Sequence, residues 1–382
     1  MNKGRRTYLV TGGAGFIGTN FVKHLLRAYS RDEIGIVVVD NLTYAGNLSN
    51  LAEEIDRGEV VFEKGNIADT DFIEKIFRDY TPDYVVNFAA ETHVDRSIDD
   101  SRIFIETNVL GTQTLLEVAR RSWLNGNADG KRFLQVSTDE VYGSLTRDFQ
   151  QPERMEQESL PEGITTSRRV LTYGKELFTE RTPLSPRSPY SASKAAADML
   201  VMAYGKTYGL PVLITRCSNN YGPYQFPEKL IPLIINNLLQ EKELPVYGLG
   251  LNVRDWLYVD DHVRAIDMVL RNGDVGHIYN VGGLNEMENI AIVRTIIEIF
   301  ARLTATEPRY DLIKFVKDRP GHDMRYAIDP SKMASNLGWH PETAFADGIE
   351  KTVKWYLDNR EWMDNVVSGE YLSYYSKMYD NR

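Results

Sequence analysis

The stretch Thr7-Tyr-Leu-Val-Thr-Gly-Gly-Ala-Gly-Phe-Ile-Gly18 joins a short apolar run to a segment with helical periodicity that continues to residue 29. The apolar run is typical of a β-strand, and the spacing after it is typical of an amphipathic helix. Gly12 permits a tight turn, Gly15 lets the backbone approach a ligand, and Gly18 lets the helix pack closely on its strand. The pattern predicts a strand–turn–helix unit with an anion site at the helix N-terminus.

A second apolar run, Ile34-Gly-Ile-Val-Val-Val39, ends at Asp40. An acidic residue about twenty positions after the glycines is expected to accept a hydrogen bond from a ribose 2′-hydroxyl. Its charge would repel a 2′-phosphate, and no arginine follows it to offset that charge. We therefore predict a dinucleotide site that takes NAD rather than NADP.

Strand-like and helix-like runs alternate through the first 140 residues, with further apolar runs at 59–63, 84–88 and 132–136. This alternation is typical of a parallel sheet that is covered by helices on both faces. We predict an α/β fold: a Rossmann-type doubly wound parallel sheet with a smaller C-terminal α/β lobe that binds the substrate.

The composition excludes several classes of partner. The 382 residues include 44 basic and 54 acidic side chains, a formal charge of −10, which argues against nucleic acid or an anionic membrane surface. Apolar runs are too short for a membrane span, and the single cysteine fits a reducing compartment, so we expect a cytoplasmic protein. The six histidines are scattered without metal-ligand spacing, so no metal is predicted.

The stretch Ser137-Thr-Asp-Glu-Val-Tyr-Gly143 follows the apolar run at 132–136, and Tyr190 and Lys194 are one helical turn apart. A phenol is a poor base at neutral pH, but the lysine and a positive nicotinamide ring would stabilise its phenolate. Tyr190 could then take the proton of a substrate alcohol while hydride passes to NAD, and Thr138 could bond the same oxygen. The product of this step is a ketone.

A ketone lowers the pKa of the hydrogen on the neighbouring carbon. The adjacent carboxyl groups of Asp139 and Glu140 could then act as an acid and a base in an elimination. Glu140, as a carboxylate, could remove that proton, and Asp139, if protonated, could donate to a leaving hydroxyl one carbon further on. Water would then leave across C5 and C6 of a 4-keto hexose, and the stored hydride could return to C6. NAD would be regenerated in each turnover.

The second half of the chain carries basic residues in loops. Lys229, Arg254 and Arg319 have asparagine and tyrosine nearby, which suits recognition of a nucleotide diphosphate. We divide the chain into residues 1–200, an NAD-binding domain to which elements from about 233–270 return, and residues 201–382, mainly a nucleotide-sugar domain. The polar segment 144–188 has no sustained period and is read as either a lid or a disordered insertion.

Four stretches together resemble the extended short-chain dehydrogenase/reductase family: Thr11-Gly-Gly-Ala-Gly-Phe-Ile-Gly18, Ser137-Thr-Asp-Glu-Val-Tyr-Gly143, Tyr190-Ser-Ala-Ser-Lys194 and Asn219-Asn-Tyr-Gly-Pro-Tyr-Gln-Phe-Pro-Glu-Lys-Leu-Ile-Pro232. Within it, the match is to the branch that dehydrates dTDP-glucose, in the dTDP-rhamnose pathway. The resemblance runs from residue 7 to the tail at 355–371 and is interrupted at 144–188. It implies a homodimer formed through helices at 103–122 and 190–208.

The resemblance also implies a role for individual residues. The catalytic set is Asp139 as proton donor, Glu140 as proton acceptor at C5, and Tyr190 as the base on the 4-hydroxyl with Lys194 and Thr138 beside it. NAD would contact Gly12, Gly15, Phe16, Ile17, Gly18, Asp40, Asn41, Leu42, Thr43, Asn66, Ile67, Ala89, Ala90, Thr107, Tyr190, Lys194 and Asn220. The nucleotide sugar would contact Thr92, Thr138, Asn219, Lys229, Leu230, Pro245, Val246, Tyr247, Arg254, Asn289, Asp318, Arg319, Pro320, Gly321 and His322.

Two positions depart from the family pattern: Asn66 replaces an aspartate, and Met324 replaces an arginine. Three other functions stay open at this point. The same reaction could act on UDP-glucose or another nucleotide hexose. A 4-epimerase is disfavoured because such enzymes lack the acidic pair, and a non-catalytic NAD-sensing protein is disfavoured by the intact catalytic set.

Overall fold

The computed structural model describes residues 5–126, 128–164, 166 and 170–367, so the tail motif at 368–371 lies outside the described residues. The strands are β1 (Arg6–Thr11), β2 (Ile34–Asp40), β3 (Val60–Lys64), β4 (Tyr84–Asn87), β5 (Arg132–Thr138), β6 (Glu153–Arg154), β7 (Leu171–Thr172), β8 (Val212–Cys217), β9 (Asn219–Tyr221), β10 (Leu244–Tyr247), β11 (Val253–Tyr258), β12 (Ile278–Val281), β13 (Glu286–Glu288) and β14 (Ile313–Val316). The α-helices are α1 (Phe16–Ala28), α2 (Ala52–Asp56), α3 (Thr70–Tyr80), α4 (Val94–Asp99), α5 (Arg102–Phe104), α6 (Thr112–Leu124), α7 (Pro189–Tyr208), α8 (Leu230–Leu239), α9 (Val259–Asn272), α10 (Asn289–Thr304), α11 (Ser331–Leu337), α12 (Phe345–Asp358) and α13 (Arg360–Val366).

A parallel sheet of seven strands, within the described residues, runs in the order β12-β8-β5-β4-β1-β2-β3. The predicted doubly wound α/β fold is confirmed. All seven strands point the same way, so their C-terminal ends form one edge, where ligands bind in open sheets of this kind. Thr138 lies opposite Cys217 at this edge.

Helices cover both faces of the sheet. Helices α1 and α9 pack on one face, and α3, α6 and α7 pack on the other; each layer encloses an apolar cluster in which most side chains are fully buried. A third cluster lies outside the sheet and joins α8, α10 and α12 to β10 and β11. These clusters supply most of the apolar burial within the sheet domain and within the outer part of the fold.

The helix predicted at 103–122 contains an irregular turn. It begins as α5, passes through a π-helical segment at Ile105–Gly111, and continues as α6. The Asn108 side chain accepts from the backbone N–H of Glu91 at 2.9 Å and donates to the Glu91 carbonyl at 3.0 Å and to Ser193 Oγ at 2.8 Å. The helical spacing of apolar residues could not predict this π-helical segment. Such segments are common near functional sites.

The segment at 144–188 packs on the rest of the protein. A fully buried Arg325 donates to both carboxylate oxygens of Glu286, each at 2.8 Å, and to the backbone oxygens of Gly174 and Glu176. Thr172 Oγ1 donates to the same carboxylate at 2.8 Å. A buried charge pair with its hydrogen bonds satisfied ties the segment to β13, so its described residues are not a disordered insertion.

Among the helices within the described part of the chain, none has the length and apolar character needed to cross a membrane.

Candidate active site

The glycine turn between β1 and α1 is shaped to hold an anion. Gly12 has a φ of +68°, and a Cβ added there would lie 2.6 Å from the Ala89 nitrogen. A Cβ on Gly18 would lie 2.3 Å from the Gly12 oxygen, so neither position accepts a side chain. Gly15 precedes α1 without a side-chain cap, and the first turn of the helix holds no acidic residue. The free N–H groups and positive end of α1 therefore face a cradle that fits a pyrophosphate.

Asp40 stands at the end of β2 beside this turn. Its Oδ2 accepts from the Ala14 N–H at 3.0 Å, and its Oδ1 accepts from the Leu42 N–H at 2.8 Å. Burial raises the pKa of the carboxyl, and these two hydrogen bonds lower it. Each oxygen has a second lone pair, so the carboxylate can both fix the turn and accept from a ribose hydroxyl.

A cavity extends from the glycine turn across the strand ends to the acidic pair. It is lined by every residue predicted to contact NAD except Leu42, whose backbone instead donates to Asp40. Asn66 lines it as well, and the side-chain oxygen of Asn66 accepts from the Ala68 N–H at 2.9 Å. The residues predicted from separate motifs thus share one cavity that fits a dinucleotide.

Thr138 ends β5, and Asp139 begins the short 3-10 helix at Asp139–Tyr142. Thr138 Oγ1 accepts from the Glu140 N–H at 3.3 Å, which starts that helix. Asp139 is 1% exposed, and its Oδ2 has no hydrogen-bond partner among the described residues. Burial raises the pKa of Asp139 well above the usual range, and the charges of Glu140 and Asp255 raise it further. Burial and the two nearby charges therefore all favour the protonated form of this carboxyl group.

Glu140 has different surroundings. Burial raises the pKa of Glu140, while the positive charges of Arg319 and Lys229 lower it. A carboxylate whose pKa is closer to neutral is a stronger base than an exposed glutamate. The cations beside Glu140 favour its charged form, and the charge of Glu140 in turn favours the protonated form of Asp139, which is the arrangement that an acid–base pair requires.

Helix α7 positions Tyr190 and Lys194. Ser188 and Ser191 form a reciprocal cap, and Pro189 occupies the first turn, so the helix begins at a defined residue. Lys194 Nζ donates to the Val136 carbonyl at 2.8 Å. Burial raises the pKa of the Tyr190 phenol, Glu140 raises it further, and a hydrogen bond with Thr138 lowers it. In the protein alone the phenol keeps its proton, so its ionisation needs a further positive charge.

A second cavity adjoins the first and shares Glu140, Asn219, Asn220 and Lys229 with it, as well as residues 225 and 228. Its polar contacts are ordered by Asp95, which accepts from Tyr247 Oη at 2.7 Å and from Arg319 Nη1 at 3.3 Å.

Basic groups surround this second cavity. Lys229 Nζ donates to the Thr92 carbonyl at 2.8 Å, and Arg254 donates to the Asp323 carbonyl at 2.9 Å. Burial and Arg319 lower the pKa of His322 to about 4, so the imidazole is neutral at pH 7. Lys229, Arg254 and Arg319 lie near two amide oxygens, on Asn219 and Asn289, that have no hydrogen-bond partner among the described residues. Together these groups suit a polar anionic ligand.

Most predicted substrate residues line one of the two cavities, but Asp318, Pro320 and Gly321 line neither. Asp318 instead contacts His322, with 2.6 Å between Oδ1 and Nδ1. The exposed Met324 also lies outside both cavities. Sequence reasoning missed Gln225 and Glu228 as lining residues, although both lie inside the quoted stretch that ends at residue 232.

Comparisons with known proteins agree with this geometry. Residues 8–282 match the model of the NAD dependent epimerase/dehydratase family. The chain is 49% identical over 378 residues to dTDP-glucose 4,6-dehydratase 1 of Escherichia coli K12, covering 98% of this chain and 99% of that protein. The crystal structure of dTDP-glucose 4,6-dehydratase from Bacillus anthracis in complex with NAD is 44% identical, with a TM-score of 0.78 over 94% of this chain and 99% of that one. DesIV, a dTDP-glucose 4,6-dehydratase from Streptomyces venezuelae determined with NAD and TYD bound, is 42% identical, with a TM-score of 0.79 over the same shares.

Proposed function

The chain belongs to the NAD-dependent epimerase/dehydratase family, and we propose that it converts dTDP-glucose to dTDP-4-keto-6-deoxyglucose and water. It is a hydro-lyase that uses NAD. The observation that carries this proposal is the acidic pair at the end of β5: a buried Asp139, whose pKa is raised by burial and by the charge of Glu140, stands beside Glu140, which has Arg319 and Lys229 nearby. An oxidoreductase without elimination has no use for both groups.

Bound NAD would take a hydride from C4 of the sugar and return it to C6, and its positive ring would favour the tyrosinate. The chain's own residues handle the protons. Tyr190 removes the proton of the 4-hydroxyl. Thr138, which forms a hydrogen bond with the Tyr190 phenol, also forms a hydrogen bond with the O4 atom of the sugar. Lys194, fixed to Val136, places a positive charge one turn below the phenol.

The elimination is assigned to the acidic pair. Once C4 is a ketone, Glu140 removes the proton from C5, and Asp139 gives its proton to the C6 hydroxyl, which leaves as water. After this step Glu140 is protonated and Asp139 is ionised, which is the reverse of the starting state. A return proton at C5 from Glu140, together with hydride at C6, completes the 6-deoxy product and restores Glu140. Tyr190 then holds the proton of the 4-hydroxyl and Asp139 lacks one, so Tyr190 releases a proton to solvent and Asp139 takes one up before the next turnover.

Binding roles follow the two cavities. We propose that the cavity beside the sheet holds NAD through the residues predicted for it, with Leu42 acting through the turn at Asp40. The second cavity would hold the nucleotide diphosphate, with Lys229, Arg254 and Arg319 as its cations. The domain division follows: the sheet and its helices form the NAD-binding part, and the elements around β10, β11 and α10 form mainly the nucleotide-sugar part.

We also propose a homodimer in the cytoplasm. Apolar side chains are exposed on the predicted interface helices, including Ile103 (42%), Leu110 (51%) and Met199 (61%). A second copy would cover them in a four-helix arrangement. Met199→Glu should yield monomers by light scattering. The control Val275→Glu, at an apolar residue elsewhere that is 47% exposed, should not.

The competing substrates can be separated in one assay. The purified protein is incubated with dTDP-glucose or with UDP-glucose, in both cases without added cofactor. The mass of each product is measured by mass spectrometry. The proposal expects loss of one water from dTDP-glucose. If UDP-glucose loses water as fast as dTDP-glucose or faster, the preferred nucleobase of the substrate is not thymine. Conversion of neither sugar would overturn the proposed function, and a change at C4 without loss of water would favour a 4-epimerase.

A further inference from the structure

Two loops line the cofactor cavity from different parts of the chain, and a hydrogen bond beside the cavity joins them. The loop after β2 contributes Thr43, Ala45 and Gly46 to the lining, and the segment before α8 contributes residues 225, 226, 228 and 229. Between them, Tyr44 Oη donates to Glu228 Oε1 at 3.0 Å. The two residues are 184 positions apart, so the bond closes the rim between the sheet and the outer lobe.

Arg96 completes the contact. Its guanidinium carbon lies 3.8 Å from the centre of the Tyr44 ring, and its Nε lies 3.4 Å from Glu228 Oε2. The Phe226 ring meets the Tyr44 ring edge-on, with 5.7 Å between the centroids. The Glu228 side chain is 1% exposed, so a tyrosine, an arginine and an aromatic ring surround a carboxyl group that water does not reach.

We propose that Tyr44, Glu228 and Arg96 are positioning residues that keep NAD in its cavity between turnovers. The inference rests on the proposed function, because a cofactor that is regenerated in each cycle need not leave. A dinucleotide bound along the sheet edge would have to pass the rim at which Tyr44 meets Glu228. Opening that rim breaks a hydrogen bond to a buried carboxylate and exposes the stacked guanidinium.

Other contacts join the same two parts of the protein away from the cavity lining. Trp362 Nε1 donates to Asn50 Oδ1 at 2.7 Å, and the Asn20 side chain donates to the Pro223 carbonyl at 3.0 Å. These contacts keep the parts together when the rim opens. Loss of the Tyr44 hydroxyl should therefore affect cofactor retention more than folding.

The test compares two tyrosine variants of the holoenzyme. Tyr44→Phe removes the bond at the rim; Tyr80→Phe removes a similar bond, from Tyr80 Oη to Glu63 Oε1 at 2.5 Å, at the sheet edge outside both cavities. Each protein is isolated with labelled NAD and chased with an excess of unlabelled NAD. We expect release from Tyr44→Phe to be roughly tenfold faster than from wild type, since the bond is to a charged group. Tyr80→Phe should release it at the wild-type rate, and added NAD should raise the turnover of Tyr44→Phe.

Equal release from both variants would overturn the proposal. So would fast release with turnover that added NAD does not raise, because the contact would then serve folding or the sugar. If Tyr44→Phe does not fold, Glu228→Gln gives the same readout: it keeps an acceptor for Tyr44 but loses the ion pair with Arg96, and release should again quicken. Release is measured without substrate, so it is independent of whether the wild-type protein dehydrates dTDP-glucose.

Discussion

Lys194 Nζ lies 2.8 Å from the carbonyl oxygen of Val136, so a buried ammonium fixes helix α7 to strand β5 two residues before Thr138. This contact sets the distance between the tyrosine on the helix and the acidic pair after the strand. Burial lowers the pKa of Lys194, and Asp198, one turn further along the helix, raises it. The lysine therefore fixes the helix that carries Tyr190 to the strand that leads to the acidic pair.

Removing the contact between Lys194 and Val136 should strongly slow the first chemical step, oxidation at C4. In Lys194→Met we expect turnover to fall by about 10²–10⁴, the range for loss of a positioned proton-transfer group. The Val136 carbonyl also loses its donor, which should lower the free energy of unfolding by about 1–3 kcal/mol. Lys206→Met, at an exposed position of the same helix, is the matched control. Wild-type turnover in Lys194→Met would contradict the assignment.

Glu140→Gln should prevent removal of the C5 proton. We expect neither loss of water nor exchange of the C5 hydrogen with deuterated solvent, while NAD stays bound to the protein. Turnover should fall by about 10²–10⁴. The measurement is NMR of the sugar in deuterium oxide. Exchange at the wild-type rate would show that another group is the base.

Asp139→Asn should separate exchange from elimination. Because Glu140 remains, the C5 hydrogen should still exchange with solvent, but water should be lost about 10²–10⁴ times more slowly. In the wild-type protein, burial raises the pKa of Asp139, so its proton persists to a higher pH than that of an exposed aspartate. The single-turnover rate of elimination should therefore fall as the pH rises through that raised pKa. A rate that increases over the same interval would assign the proton donor elsewhere.

The buried pair of Arg325 and Glu286 should be a main support of the segment at 144–188. Arg325→Met leaves Glu286 buried without its partner and should lower the free energy of unfolding by about 3–5 kcal/mol. Arg121→Met, which removes ion pairs to Glu117 and Glu74 at a side chain that is 54% exposed, should cost less than about 1 kcal/mol. Denaturant unfolding of both variants checks this, and equal losses would refute the role of the pair.

Local patterns in the sequence predicted the sheet and much of the site. The glycine spacing, the carboxylate at Asp40 and the helical spacing of Tyr190 and Lys194 each act over one element, so a single stretch records them. The edge strand β12 of the seven-stranded sheet has only four residues and no measurable period, and sequence reasoning missed it.

Contacts between distant parts of the chain could not be predicted in this way. The raised pKa of Asp139 depends partly on Asp255, which comes from another strand. Glu228 meets Tyr44 across 184 positions. Such pairs form because strand order and lobe packing bring them together, and neither residue marks its partner in the sequence.

The central claim is that one hydride passes from C4 to C6 while water leaves across C5 and C6. The most direct measurement uses dTDP-glucose with deuterium at C4, the purified protein and no added cofactor, followed by NMR and mass spectrometry of the product. We predict a 4-keto-6-deoxy sugar that has lost one water and carries the deuterium in its C6 methyl group. Deuterium retained at C4 without loss of water, or lost to the solvent, would contradict this mechanism.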